Sequence, residues 1–140
     1  MIGHLCEMLH SGDHTLVVSS AEGIIRCFNG RGVGDLYRLL NSEPSFLSGA
    51  TLADKVVGRA AAALMILGGV KEVHTDVISS LALSIFDGFG VSVSYDEEVH
   101  HIINRNHDGW CPLETRCKDC LTPEECFHRI ESFINEISSK

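Results

Sequence analysis

Thr51-Leu52-Ala53-Asp54-Lys55-Val56-Val57-Gly58-Arg59-Ala60-Ala61-Ala62-Ala63-Leu64-Met65-Ile66-Leu67-Gly68 is the stretch around which the rest of the chain is organised. Thr51 followed three residues later by Asp54 has the form of a capping box, the alanine run is strongly helix-forming, and Gly68-Gly69 supplies a stop. This predicts one helix over the whole stretch. From Val56 to Leu67 it is apolar nearly all round, broken chiefly by Arg59, so it is expected to lie between a sheet and other helices. Its first turn would hold Asp54 and Lys55, where free backbone N–H groups and the positive end of the helix dipole attract an anion or polar ligand. The plainer alternative makes Asp54 a cap and leaves Lys55 in solvent or paired with Asp96, Glu97 or Glu98.

Upstream, Gly3 to His10 predicts a short helix with Leu5, Met8 and Leu9 on one side. Thr15–Ser20 and Ile24–Phe28 are β-rich runs joined by Ala21-Glu22-Gly23, which predicts an antiparallel hairpin. Asn29-Gly30-Arg31-Gly32-Val33-Gly34 has the glycine content of a phosphate loop without the spacing of one, and turn glycines explain it equally well. Asp35–Asn41 reads as a helix closed by Ser42-Glu43-Pro44-Ser45. Downstream, Glu72–Ile78 predicts a strand, Ser79 or Ser80 caps a helix through Phe86, and Val91–Tyr95 alternates as a strand with one buried face. The strands at Val77 and Val93 should be parallel with a right-handed crossover. The expected fold is a three-layer α/β/α sandwich with a mixed sheet of about four strands.

The chain has 140 residues, enough for one core, so residues 1–140 are expected to form a single domain. A hydrophobic fraction of 44% excludes wholesale disorder, and a net charge of −8 argues against a nucleic-acid polymer as partner. No stretch reaches the length of a membrane span, and residues 1–20 do not read as an export signal, so a cytoplasmic protein without a membrane partner is expected. Under that expectation the six cysteines are free thiols or metal ligands rather than a disulfide framework.

In open α/β sheets ligands gather outside the carboxyl ends of the parallel strands, which places Ser79 and Ser80 near the start of the central helix. With Ala53-Asp54-Lys55-Val56-Val57-Gly58-Arg59-Ala60-Ala61-Ala62, Val77-Ile78-Ser79 and Asn104-Arg105 through Cys111-Pro112-Leu113-Glu114, the chain resembles an uncharacterised bacterial branch of the cytidine-deaminase-like superfamily. The resemblance spans about Thr15 to Glu114. It implies a cytidine-deaminase-like fold. A zinc deaminase places His or Cys, then Glu, at the start of the central helix and Pro-Cys-x-x-Cys at the start of the next. This chain has Ala53-Asp54-Lys55 and Ile78-Ser79-Ser80-Leu81-Ala82 at those places, so no catalytic zinc is expected. The reading that follows is a small anionic or nucleotide-like ligand held by Asp54, Lys55, Ser79, Ser80, Asn104 and Arg105. Asp54, Lys55, Cys111 and Glu114 are the catalytic candidates if there is turnover. The alternative is a non-catalytic regulatory or interaction module.

The segment 111–126 carries a separate signal. Cys111, Cys117, Cys120 and Cys126 have the spacing C-x5-C-x2-C-x5-C, compatible with a structural zinc or an iron–sulfur cluster and equally with free thiols. His100 and His101 are adjacent, which on a helix or strand points them apart, so they read as surface residues. Thr122-Pro123-Glu124-Glu125 opens a final helix over 123–138 with a capping box. Phe127, Ile130, Phe133, Ile134 and Ile137 form its apolar stripe, as core or as the contact of a homodimer.

Overall fold

Val56-Val57-Gly58 divides the stretch that reads as one helix. In the computed structural model, which describes residues 1–30 and 33–138, Thr51–Val57 is a strand, β3, and the helix α4 runs from Arg59 to Gly68 with extended Gly58 as its N-cap. Thr51 and Asp54 therefore form no capping box. β-Branched Val56 and Val57 lose rotamer freedom in a helix and fit a pleated sheet, while glycine suits a cap better than a helix interior. The alanine run behaves as expected, with every residue from Arg59 to Met65 buried. At its far end Gly69 takes the left-handed conformation (φ 80°), and the Val70 N–H closes on the Met65 carbonyl at 3.1 Å. A Gly69→Ala variant is expected to lose about 1 kcal/mol of unfolding free energy, read from its urea midpoint, because a Cβ is strained there.

The full order is α1 (Ile2–Ser11), β1 (Leu16–Ser19), β2 (Ile25–Phe28), α2 (Gly34–Ser42), α3 (Pro44–Leu47), β3, α4, β4 (Glu72–Ser79), α5 (Ser80–Phe86), β5 (Ser92–Val99), α6 (Pro112–Cys117) and α7 (Pro123–Ser138). Among the described residues this makes a five-stranded mixed sheet, ordered β2-β1-β3-β4-β5, and seven helices. The sheet has one strand more than expected because β3 was hidden in the helix reading. β1 is antiparallel to β2 and β3, whereas β3, β4 and β5 are parallel, with Thr51 opposite Glu72 and Glu72 opposite Ser92. Arg31 and Gly32 of the glycine-rich run lie outside the described residues. No helix among the described residues is long and apolar enough to cross a membrane.

Alternation assigns the two faces. Leu52 belongs to the large core shared with α2, α4, α5, α6 and α7, while Val17 and Ala53 pack with Leu5 and Leu9 of α1 on the other side. Leu52 and Val57 share the large core although their positions along the strand differ by an odd number, and so do Val73 and Ile78. An unbroken strand would put such residues on opposite faces. The break lies where the ladder skips Lys55 and Asp76: Asp54 Oδ1 accepts from the Val56 N–H at 3.4 Å, and the Thr75 hydroxyl donates to the Val77 carbonyl at 3.0 Å. This shared kink resets the alternation, so that Val57 and Ile78 face the large core. β5 is an exposed edge strand, with Val93 partly buried and Tyr95 41% exposed. Its run Asp96-Glu97-Glu98 guards the open edge with like charge.

The capping box of α7 forms with a shift. Thr122 Oγ1 accepts from the Glu125 N–H at 3.1 Å, and Glu125 Oε2 reaches back to the Leu121 N–H at 3.2 Å. Cys126 and Ile130 are fully buried, with Phe127, Phe133 and Ile134 packed beside them, so the stripe serves as core against α4 up to Ile134. Ile137 lies outside it, 57% exposed.

Candidate functional site

The carboxyl ends of β3, β4 and β5 meet the starts of α4 and α5, and a buried carboxylate sits among them. Glu114, in the first turn of α6, is 2% exposed. Its Oε1 accepts from the Arg59 N–H at 2.8 Å and its Oε2 from the Ile102 N–H at 2.9 Å. The first amide of α4, an orphan by helix geometry, is thus closed by a carboxylate from another element, which also suits the dipole. Gly58 leaves the room for this approach, since a Cβ there would lie 3.1 Å from Glu114 Oε1 and 3.2 Å from Ile102 Cγ1. Both oxygens of Glu114 are engaged, which makes it a backbone clamp. The anion place at the start of α4 is filled by the chain itself.

Asp54 and Lys55 do not line that helix start. They lie within β3, the Lys55 ammonium reaching Asp13 at 3.4 Å rather than Asp96, Glu97 or Glu98. Burial pushes the Asp54 carboxyl up to about 7, partly offset by the Val56 and Lys55 N–H groups. Ser79 is the α5 cap, accepting from the Ala82 N–H at 3.0 Å, and the Ser80 hydroxyl donates to Glu98 at 2.7 Å. Asn104 holds its own loop by donating to Asp108 at 2.8 Å, and Arg105 is exposed in that loop. Of the residues expected to converge, Ser79 and Ser80 and the segment at Cys111–Glu114 border the strand ends. Asp54 and Lys55 stand apart in the strand.

Beyond β5 lies a constellation that residue-by-residue reading missed. His100 and His101 follow the end of the strand in a bend, which lets adjacent side chains meet, and their Nδ1 atoms lie 3.0 Å apart. The expectation that they diverge held only for regular helix or strand. The His101 ring stacks on Trp110 with centroids 4.0 Å apart and planes at 9°, His100 meets the same indole edge-on, and the Lys118 ammonium lies 5.6 Å from its centroid. A bridge between Ile103 and Trp110 closes the intervening loop and delivers the indole to the strand end. Trp110 is the one tryptophan in the chain. That composition, with two histidines before it and a lysine after it, was the available signal.

The cysteines divide. Cys117, Cys120 and Cys126 are fully buried and their Sγ atoms all lie within 4.8 Å of one another, but Cys111 is only partly buried and does not join them. Cys111 instead sits at the start of α6, its N–H on the Ile102 carbonyl at 2.8 Å. Burial pushes the Cys120 thiol up to about 11, and hydrogen bonding with Cys117 together with burial raises Cys126. Arg59 reaches this cluster: its Nε donates to the Cys120 carbonyl at 3.1 Å, Nη2 to the same carbonyl, and Nη1 to the Leu81 carbonyl at 2.6 Å and Ser84 Oγ at 2.7 Å. On the α1 face, His74 pairs with Asp96 and His10 with Asp76, a second polar group remote from the strand ends.

A solved structure supports the fold: the chain is similar to a DUF1893 family protein (TM1506) from Thermotoga maritima, at 26% identity over 94% of this chain and 88% of that one, with a TM-score of 0.84. No curated protein matches the chain. A family model also matches residues 4–134, nearly the whole of the chain, and on that ground the chain belongs to the family described as Domain of unknown function (DUF1893).

Proposed function

We infer that this chain is a deaminase-fold binding protein for a small nucleotide-like ligand and carries out no zinc-dependent deamination. The strand order, with the central helix after β3 and a second crossover helix after β4, agrees with the resemblance drawn from the sequence. The two helix starts that carry metal ligands in zinc deaminases hold Gly58-Arg59-Ala60 and Ser79-Ser80-Leu81-Ala82 here, and neither set offers an imidazole or thiolate. Glu114, the carboxylate nearest the first start, is spent on two backbone amides.

The observation that carries the binding role is the stack of His101 on Trp110 outside the strand ends, flanked by Lys118 and by the acidic end of β5. A planar base finds an aromatic surface there, Lys118 supplies a charge for a phosphate, and Glu98 an acceptor for sugar hydroxyls. AMP titrated into the protein is expected to change the emission of Trp110 saturably. Trp110→Ala should weaken binding by about 1–3 kcal/mol, roughly tenfold or more, the worth of one base stack. Lys118→Ala should weaken AMP and leave adenosine unchanged. No saturable change with AMP in the emission of Trp110 or in the NMR signals of His100 and His101 would remove the nucleotide reading and favour a ligand-free interaction module.

A further inference from the structure

Arg59 is a buried cation with neutral partners. The residue is 8% exposed, and its guanidinium donates to two carbonyls and one hydroxyl. Among the described residues no carboxylate lies within ion-pair distance of it. Glu114, which holds the Arg59 backbone, makes no ion pair with its side chain. A buried charge of this kind is costly unless a counter-charge stands nearby. The guanidinium reaches the thiol cluster through backbone: Cys120, one of the three gathered cysteines, supplies the carbonyl that accepts from Nε and Nη2.

The geometry assigns the Cys117, Cys120 and Cys126 cluster as a binding site for one thiophilic cation of the zinc(II) or copper(I) class, with the Arg59 guanidinium as the counter-ion of the resulting thiolate centre. Three observations converge on it. The three Sγ atoms lie within 4.8 Å of one another, and a zinc–sulfur distance of about 2.3 Å places sulfurs on one ion roughly 3.8–4.0 Å apart, so small rotamer shifts close the site. The cysteines come from two elements that the site would join, Cys117 ending α6 and Cys126 at the end of the first turn of α7, with Cys120 in the link. Soft sulfur donors without a carboxylate or imidazole select such cations over magnesium or calcium.

Sulfurs gathered this tightly suit a single ion better than an iron–sulfur cluster, which spreads its cysteines over several irons. When a divalent ion enters, three S–H bonds break, three protons pass to solvent and three S–metal bonds form, taking the thiol group from neutral to a net charge of −1. Arg59 balances that charge without moving. The proposal does not depend on the nucleotide reading, since the two sites share no residue.

The test uses the full chain, reduced and handled without oxygen, with zinc(II) and cobalt(II) as probes. One equivalent of zinc is expected to slow the reaction of three of the six cysteines with a thiol reagent in mild urea, where local opening exposes these buried thiols in the metal-free chain. Cobalt is expected to give thiolate-to-metal charge-transfer absorption that is lost in Cys117→Ser, Cys120→Ser and Cys126→Ser and retained in Cys111→Ser and Cys27→Ser. Arg59→Met should weaken zinc about tenfold or more, while Arg59→Lys, which keeps the charge, should weaken it less. Equal reaction of all thiols with and without zinc, or a cobalt signal that survives Cys126→Ser or vanishes in Cys111→Ser, overturns the proposal. Should the cysteine variants fail to fold, thiol protection in the wild-type chain decides alone.

Discussion

Glu114→Ala is expected to destabilise the protein by about 3–5 kcal/mol, a large part of the roughly 5–15 kcal/mol that holds an ordinary domain together. Alanine removes the acceptor of two backbone N–H groups, those of Arg59 and Ile102, in a place that water does not reach freely. Each amide left buried without a partner costs about 1–3 kcal/mol, and the start of α4 also loses a charge that its dipole favours. Glu114→Gln should recover little, because its amide would turn an NH2 toward one of the two N–H groups. Urea denaturation followed by far-ultraviolet circular dichroism measures both variants. A loss below about 1 kcal/mol for Glu114→Ala would show that the clamp is dispensable and would reopen Glu114 as a base.

Asp54 gives the second large effect, in a pH profile. Its carboxyl is raised from the ordinary aspartate range to about 7 by burial, so between about pH 4 and 7 the folded protein holds a proton that the unfolded chain has released. Stability therefore falls as pH rises through that window and stays low above it, the reverse of a salt-bridged aspartate. At about 1.36 kcal/mol per pH unit the loss approaches 4 kcal/mol, and the partial exposure of Asp54 brings the expectation to about 2–4 kcal/mol. Asp54→Asn keeps the oxygen that receives the Val56 N–H and cannot ionise. Its unfolding free energy should match the wild type near pH 4 and exceed it by this amount at about pH 8. Parallel pH profiles of the two proteins would refute the shifted carboxyl.

The hairpin, the parallel crossover from β4 to β5 and the last helix were legible because each rests on a local pattern: β-branched runs around Gly23, a serine cap before Leu81, and Thr122 with Glu125. β3 was not. Thr51-Leu52-Ala53-Asp54-Lys55 contains good helix formers and imitates a cap, and its strand identity comes from pairing with β1 and β4 on either side, which no local window contains. That one misreading carried Asp54 and Lys55 to a helix start they do not occupy. Spacing alone grouped four cysteines, and it cannot say that Cys111 begins α6 while the sulfurs of Cys117, Cys120 and Cys126 turn inward together. Arg59 was visible as the lone charge in an apolar helix. Its destination, the carbonyl of Cys120, lies 61 positions away and could be known only from the fold.

The clamp on α4 also bears on the order in which the chain assembles. The helix and the strands that flank it, β1, β3 and β4, come from the stretch 16–79, yet the carboxylate that closes the helix start lies 55 residues beyond Arg59. A nascent polypeptide exposes these strands and the alanine face of α4 before Glu114 leaves the ribosome. Until then the first turn of α4 stays frayed, and the late arrival of α6 locks it. Sheet and lock thus belong to different stages of the same folding reaction, with the long-range step coming last because its loop-closure entropy is met only once the earlier contacts exist.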